Sequence, residues 1–426
     1  MVWSKYNYLY YSNVADAYLL YSSLSNMLVK IEKDIYPVIL EISQTPSMID
    51  KDDENYKFLF DGKFIVDSNE AELNKIILRN LRARFSNESY MLTIAPTRQC
   101  NFACPYCYEK KRLTHKQMSQ EVINSIISFA DSNCKSKSLN VVWYGGEPTE
   151  CVEIIKEMTE AFKKITNKYS AYMITNGYNL DRLFPFINEL SLSGMQITLD
   201  GTKDTHNKTR ILKSGGGSYD KIISNIKDLL GINNTIRITI RMNISKSNSD
   251  QYPILCSQIN SLFGNRVSIY PAFVHDYDNV IPNPSCFESG ELKADYLSNL
   301  YLKHKIYPHQ LYPARSDKGC TCHQDNGFVI GPEGELYKCW HHLGMPEKVV
   351  GNITSDNIID NNDLLTTYML DNDSLFDKKC RDCVLFPVCD GGCSDLKNLG
   401  QDYCVPAKYN LEKFLDLRYM RMKRIK

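Results

Sequence analysis

The sequence predicts an α/β fold built on a largely parallel sheet, open or curled towards a barrel, with a small α+β module before it and a cysteine-rich segment after it. Three observations predict this. Six short apolar runs recur between about residues 91 and 310, and the stretches between them carry apolar residues at helical spacing. The first 88 residues contain no cysteine and read as aromatic strands followed by helices. Eight of the 15 cysteines fall between Cys320 and Cys404, where aliphatic periodicity fades.

In chain order, residues 6–11, 18–21 and 27–31 are aromatic or branched runs separated by Ser, Asn and Asp, the pattern of an antiparallel meander. A helix is expected over 35–42. The stretch FLFDGKFIVD, residues 58–67, reads as a hairpin turning at Asp61 and Gly62, because Asp-Gly tolerates the positive φ of tight turns. Asp67 and Glu70 then resemble a capping box for a helix whose face carries Leu73, Ile76, Ile77 and Leu81. Residues 1–88 are therefore expected to form an independent module.

From residue 89 to 310 the runs MLTIAP, LNVVWYGG, AYMITNG, MQITLD, IRITIRMN and VSIYPAF supply six buried strands. Helical faces between them include Val122, Ile126 and Ala130, then Ile155, Met158 and Phe162, then Ile222, Ile226 and Leu229. Strands that alternate with helices of this length pair in parallel, and active sites on such sheets sit at the strands' carboxyl ends. Residues 311–426 read as loops, short strands and cysteines that depend on metal for stability, closed by a helical tail ending in RMKRIK, a solvated basic end.

Lys plus Arg and Asp plus Glu are both 50, so zero net charge argues against general affinity for nucleic acid or anionic membranes. No run approaches the roughly 18 apolar residues of a spanning helix, and the start lacks the pattern of an export signal. A cytoplasmic protein is expected. Cysteines bunched at short spacings in such a chain point to metal or iron–sulfur ligation rather than disulfides.

After the first of the six strands comes CNFACPYC, which places Cys100, Cys104 and Cys107 in a CxxxCxxC array. Three thiolates on one loop can hold three irons of a 4Fe-4S cluster and leave the fourth iron open to a small chelating molecule. A zinc loop completed by a distant ligand such as His115 is the alternative. The array, with Tyr106 before its last cysteine, resembles the radical SAM superfamily. Gly145, Gly146, Glu147 and Pro148 look like that family's GGEP motif, which contacts the methionine amino group. Asn176 after the third strand, Thr198 and Asp200 at the fourth, and Arg210 beyond it match the family's further SAM-binding positions. His206 reads as a packing or hydrogen-bonding residue. The resemblance implies a partial (β/α)6 barrel in which S-adenosyl-L-methionine (SAM) is cleaved to a 5'-deoxyadenosyl radical that abstracts hydrogen from substrate. It also implies an electron donor such as flavodoxin or ferredoxin.

Further on, Cys380, Cys383, Cys389 and Cys393 form CxxCxxxxxCxxxC, followed by Cys404; upstream, Gly334 and Cys339 form GxxxxC, preceded by Cys320 and Cys322. This looks like the SPASM domain, with two auxiliary clusters. The resemblance assigns Cys320, Cys322, Cys339 and Cys393 to the first, and Cys380, Cys383, Cys389 and Cys404 to the second, making three 4Fe-4S clusters in all. Only Thr321 separates Cys320 from Cys322, so one of the pair is a candidate spare ligand. Two zinc ribbons are the alternative, and 11 cysteines holding three zinc ions would make a metal-stapled binding protein rather than an enzyme. Cys134, Cys151, Cys256 and Cys286 are expected to be inert buried thiols.

SPASM enzymes modify peptides or proteins. Sulfatase maturases, which oxidise Cys or Ser to formylglycine, place an Asp directly after the GxxxxC cysteine, where this chain has Trp340. The N-terminal module is similar in outline to the winged-helix-like leader-recognition domains of ribosomal peptide maturases, which add an extended leader to a sheet edge. The expected substrate is a ribosomal precursor peptide with its leader. The expected product is a thioether, with a carbon–carbon crosslink as the alternative.

Overall fold

The computed structural model describes residues 1–425 except 49, 276–285, 288, 313–314, 316–318 and 390. Two compact units emerge: Met1–Arg84, Glu288–Cys320 and Leu370–Lys426 form one, and Phe85–Phe287 with Thr321–Met369 form the other.

In the first unit, β1 (Val2–Trp3) precedes the expected meander of β2 (Asn7–Ser12), β3 (Ala17–Ser22) and β4 (Met27–Ile31). Its antiparallel register sets Tyr10 opposite Leu19 and Leu20 opposite Val29. Helix α1 (Tyr36–Gln44) follows, burying Ile39 and Ile42. The hairpin expected over 58–67 does not form. Asp53 caps a helix instead, its carboxylate accepting from the Tyr56 N–H at 3.0 Å, and α2 (Glu54–Asp61) buries Tyr56 and Leu59 three residues apart on one face. Gly62 stays right-handed at φ −72° and Lys63 takes the positive φ of 61°. The chain then enters β5 (Ile65–Val66), which pairs with β1 rather than with its own preceding segment. Burial against Leu20, Ile31, Phe64 and Ile65 outweighs the local turn preference of Asp-Gly. The capping box also shifts by one residue: Ser68, not Asp67, accepts from the Glu70 and Ala71 N–H groups at 3.2 and 3.3 Å. Helix α3 (Asn69–Arg84) turns Ile76, Asn80 and Arg84 inward, while Ile77 is only half-buried. Arg84 forms a fully buried ion pair with Asp373.

In the second unit all six expected strands form: β6 (Ser89–Ile94), β7 (Ser138–Trp143), β8 (Tyr169–Thr175), β9 (Leu192–Thr198), β10 (Arg237–Ile244) and β11 (Val267–Phe273). They are parallel and paired in chain order, with crossovers that include α4 (Gln120–Asn133), α5 (Val152–Ile165), α6 (Lys203–Thr209), α7 (Tyr219–Ile232) and α8 (Gln251–Phe263). The α4, α5 and α7 faces bury Ile126, Phe162 and Ile226 as their periodicity predicts. The chain later returns to add β12 (Gly327–Ile330) parallel to β6, followed by antiparallel β13 (Glu335–Tyr337) and β14 (Gly351–Asn352). The sheet order is β11-β10-β9-β8-β7-β6-β12-β13-β14. Among the described residues, no helix is long and apolar enough to cross a membrane.

Candidate active site

The cysteine loop leaves the carboxyl end of β6 and is pinned to the segment after Arg210. Ala103 N–H donates to Ile211 O (2.8 Å) and Lys213 N–H to Asn101 O (2.9 Å), so the loop and Arg210 are held together. Cys104 is buried, and Cys100 and Cys107 are half-buried. Burial pushes the Cys100 thiol up to about 12 and Cys107 to about 11, and raises Cys104 as well. Thiolates at these positions therefore need a bound cation. No three ligand atoms among these cysteines and exposed His115 lie within 4.8 Å of one another. A tetrahedral zinc with bonds of about 2.3 Å would hold its sulfurs roughly 3.8 Å apart, so the loop suits a polynuclear cluster better than one ion.

The turn after β7 packs on the start of this loop. Gly146 N–H donates to Thr97 O (3.1 Å) and Glu147 N–H to Gln99 O (2.8 Å). A Cβ on Gly145, at φ +113°, would lie 2.3 Å from Thr97 O, and one on Gly146 would lie 2.3 Å from Gln99 O. The two glycines thus permit a backbone-to-backbone contact that side chains would block. Pro148 begins a short 3-10 turn capped by Glu147. The Glu147 carboxylate is 1% exposed. Its Oε1 accepts from Thr149 N–H, the Thr149 hydroxyl and the Thr175 hydroxyl at 3.1, 2.7 and 2.6 Å, and its Oε2 accepts from Asn176 N–H at 2.7 Å. Glu147 therefore ties the end of β7 to the end of β8. Burial raises its carboxyl pKa against those hydrogen bonds.

Across the strand ends, the Tyr106 hydroxyl meets Asp200, Arg210 Nη1 (3.1 Å) and Asn243 Nδ2 (3.2 Å). Asp200 is fully buried, and its Oδ1 accepts from Asn243 N–H at 3.0 Å. Burial raises both the Asp200 carboxyl and the Tyr106 phenol pKa, with Arg210 opposing it in each case. Thr198, 8% exposed, ends β9 beside this network. His206 has the predicted bonding role: Nδ1 accepts from Asp200 N–H (3.3 Å) and Nε2 faces the Ser218 hydroxyl (3.0 Å). Asn176 Nδ2 donates to Asn101 Oδ1 (2.7 Å). Asn101 Nδ2 and Arg210 Nε are buried donors without a hydrogen-bond partner, an arrangement suited to an anionic ligand group beside the cysteine loop. Asn101, Thr149 and Asn243 were not singled out from the sequence. An Asn next to the end of the strand carrying IRITIRMN is the available signal for Asn243.

In the unit holding the N-terminus, Cys380, Cys383, Cys389 and Cys404 line one cavity with Leu385, Phe386 and Lys408. Lys408 Nζ donates to Cys404 Sγ (3.3 Å), and burial pushes Cys380 up to about 11. Cys320 and Cys393 also belong to this unit, and Cys322 and Cys339 to the other. Cys134 and Cys151 are buried as expected, whereas Cys256 and Cys286 are half-buried.

Residues 94–252 match the family model of the radical SAM superfamily. Those residues form a radical SAM domain, and the protein is an enzyme. Such a domain implies a 4Fe-4S cluster and SAM, which the cysteine loop and its orphaned donors fit. Among its relatives, a cysteine-type anaerobic sulfatase-maturating enzyme of Clostridium novyi (strain NT) is 23% identical over 338 residues, 71% of this chain and 87% of the relative. The sporulation killing factor maturation protein SkfB of Bacillus subtilis (strain 168) is 25% identical over 188 residues, 43% of each chain. Among solved structures, AdoMet-bound anSMEcpe superposes with a TM-score of 0.62 at 17% identity, covering 79% of this chain and 98% of the other. Streptococcus suis SuiB bound to its precursor peptide SuiA gives a TM-score of 0.54 at 14% identity, covering 96% and 99%.

Proposed function

We propose that this enzyme is a maturase of a ribosomally made precursor peptide, held by its leader, in which it forms a thioether crosslink. The observation that carries the reading is the N-terminal sheet. Strand β4 pairs only with β3 among the described residues, and beside it Ile35 and Val38 are 40% and 41% exposed. An unpaired strand edge next to an apolar helix face is what an added peptide strand requires. The extent of the SuiB likeness, which reaches 96% of this chain, supports it. The trio of 4Fe-4S clusters, the leader module at 1–88, the barrel at 89–310, the SPASM segment at 311–426 and a reducing cytoplasmic setting belong to the same reading. Formylglycine formation is disfavoured by Trp340, which offers no carboxylate base and packs on Tyr144 at 5.4 Å between centroids.

Cys100, Cys104 and Cys107 would hold the cluster, which when reduced and bound to SAM would supply a 5'-deoxyadenosyl radical. The chain's own contribution is position. Arg210 and Asn101 would offer donors to the SAM carboxylate, Glu147 would meet its amino group, and Asp200 with Thr198 would serve the ribose side. Tyr144, Tyr337, Leu343 and Trp340 form an apolar patch that keeps water from a reactive centre. Forming the thioether removes two hydrogens from the peptide, so an electron and a proton must leave beyond those taken by 5'-deoxyadenosine. Cys380, Cys383, Cys389 and Cys404 would hold an auxiliary cluster, whose chemistry there would be to take up that electron.

The test is anaerobic turnover with candidate precursors from neighbouring small open reading frames. A thioether product loses the mass of two hydrogens and one titratable thiol; a carbon–carbon product loses the mass but keeps the thiol. The Cys100→Ala/Cys104→Ala/Cys107→Ala variant should make no 5'-deoxyadenosine, and Ile35→Asp/Val38→Asp should weaken precursor binding with SAM cleavage retained. Unchanged precursor binding in that double variant refutes the leader site.

A further inference from the structure

The cysteine loop over 380–389 is held by the N-terminal module. Within the loop, Cys383 N–H donates to Cys380 O (3.0 Å) and Cys389 N–H to Leu385 O (2.9 Å), which sets three of the four sulfurs around the cavity. Two carbonyls of the loop are taken from outside. The Tyr6 hydroxyl donates to Arg381 O at 3.2 Å, and the Ser23 hydroxyl donates to Val384 O at 2.5 Å. Arg381 follows Cys380 and Val384 follows Cys383, so each hydroxyl fixes the carbonyl of the residue next to a ligand cysteine. Tyr6 and Ser23 are both fully buried. The Tyr6 ring stacks on Phe386 at 6.4 Å, within an apolar cluster of Ile76 and Leu375 that Cys380 adjoins. At the rim, Lys5 pairs with Asp382 at 3.3 Å.

We infer that Tyr6 and Ser23 are positioning residues of the four-cysteine metal centre, so that the module presenting the peptide-binding edge also forms the outer shell of that centre. The inference rests on the reading that these cysteines hold a metal cluster. Groups that orient metal ligands typically change metal affinity by about 10- to 100-fold when removed. One consequence is that deleting 1–88 would remove cluster support together with any leader site, so binding losses in a deletion have two causes and point substitutions on the strand edge are the cleaner probe.

The experiment compares reconstituted full-length wild type, Tyr6→Phe/Ser23→Ala and a Tyr10→Phe control. Tyr10 lies in the same sheet, but its hydroxyl bonds Asp416 Oδ1 (2.8 Å) and Glu412 O (3.1 Å) rather than the loop. Anaerobic iodoacetamide alkylation is followed cysteine by cysteine by mass spectrometry, with iron counted in parallel. The double variant should alkylate at Cys380, Cys383, Cys389 and Cys404 about 10-fold faster or more. Alkylation at Cys100, Cys104 and Cys107 should be unchanged, and Tyr10→Phe should behave as wild type. Equal acceleration at both cysteine sets, no acceleration, or the same acceleration in the control overturns the inference. If the four wild-type cysteines react as fast with iron as without it, the metal-centre reading itself fails.

Discussion

Replacing Glu147 with Gln should destabilise the barrel unit by about 2 kcal/mol, because no orientation of an amide can serve all four donors. The carboxylate takes three donors on Oε1 and one on Oε2. Gln best keeps its carbonyl at the Oε1 position, which directs its NH2 group at Asn176 N–H. A buried backbone donor left facing another donor costs about 1–3 kcal/mol. The three surviving bonds lose their charge assistance, and the easier burial of a neutral amide offsets part of that loss. Trp143, fully buried at the end of β7, is a local reporter. Urea unfolding followed by its fluorescence, alongside circular dichroism, gives the stability difference, and SAM affinity should fall in parallel as the β7 and β8 ends separate. A stability within about 0.5 kcal/mol of wild type, the range of an ordinary surface change, would refute the claim that Glu147 joins the two strands.

Two further outcomes follow from the same site. Burial holds His206 at about 3, so the unfolded chain gains a proton below about pH 6.5 that the folded one refuses. Stability is then fully present above that pH and lost as pH falls, by about 2 kcal/mol at pH 5, and His206→Asn should flatten the urea-midpoint difference between pH 7 and pH 5. Gly145→Ala must relieve both a φ of +113° and a Cβ 2.3 Å from Thr97 O, at about 2–4 kcal/mol. Iron retained at the Cys100 loop at wild-type levels would show that the turn does not hold that loop.

The barrel strands were legible because one face of each is largely buried and the other partly so, which puts apolar residues at every second position or closer, as in VVW and ITI. The first cysteine loop was legible from its CxxxCxxC spacing together with the family resemblance of the segments after it. Segments whose local and tertiary preferences disagree were not. Asp61-Gly62 is a strong turn signal, yet Tyr56 and Leu59 gain more from a helix docked on Leu20 and Phe64 than the turn offers. Strands β12–β14 are two to four residues long, too short for alternation to register, and exist through pairing with β6 and each other. The convergence of Asn101, Asn243 and Thr149 on the site depends on contacts between distant segments, which periodicity cannot encode.

The pairing of β12 with β6 also constrains how the chain is made. Met91 lies opposite Gly327, so the strand carrying the first cysteine loop keeps an open flank until a segment from the far end of the chain emerges from the ribosome. A nascent barrel therefore exposes that edge for most of synthesis, and closing so long a loop is slow. Loading of iron at Cys100, Cys104 and Cys107 should then be a late, essentially post-translational event, and chains truncated before Gly327 should be aggregation-prone and depend on chaperones that cover strand edges.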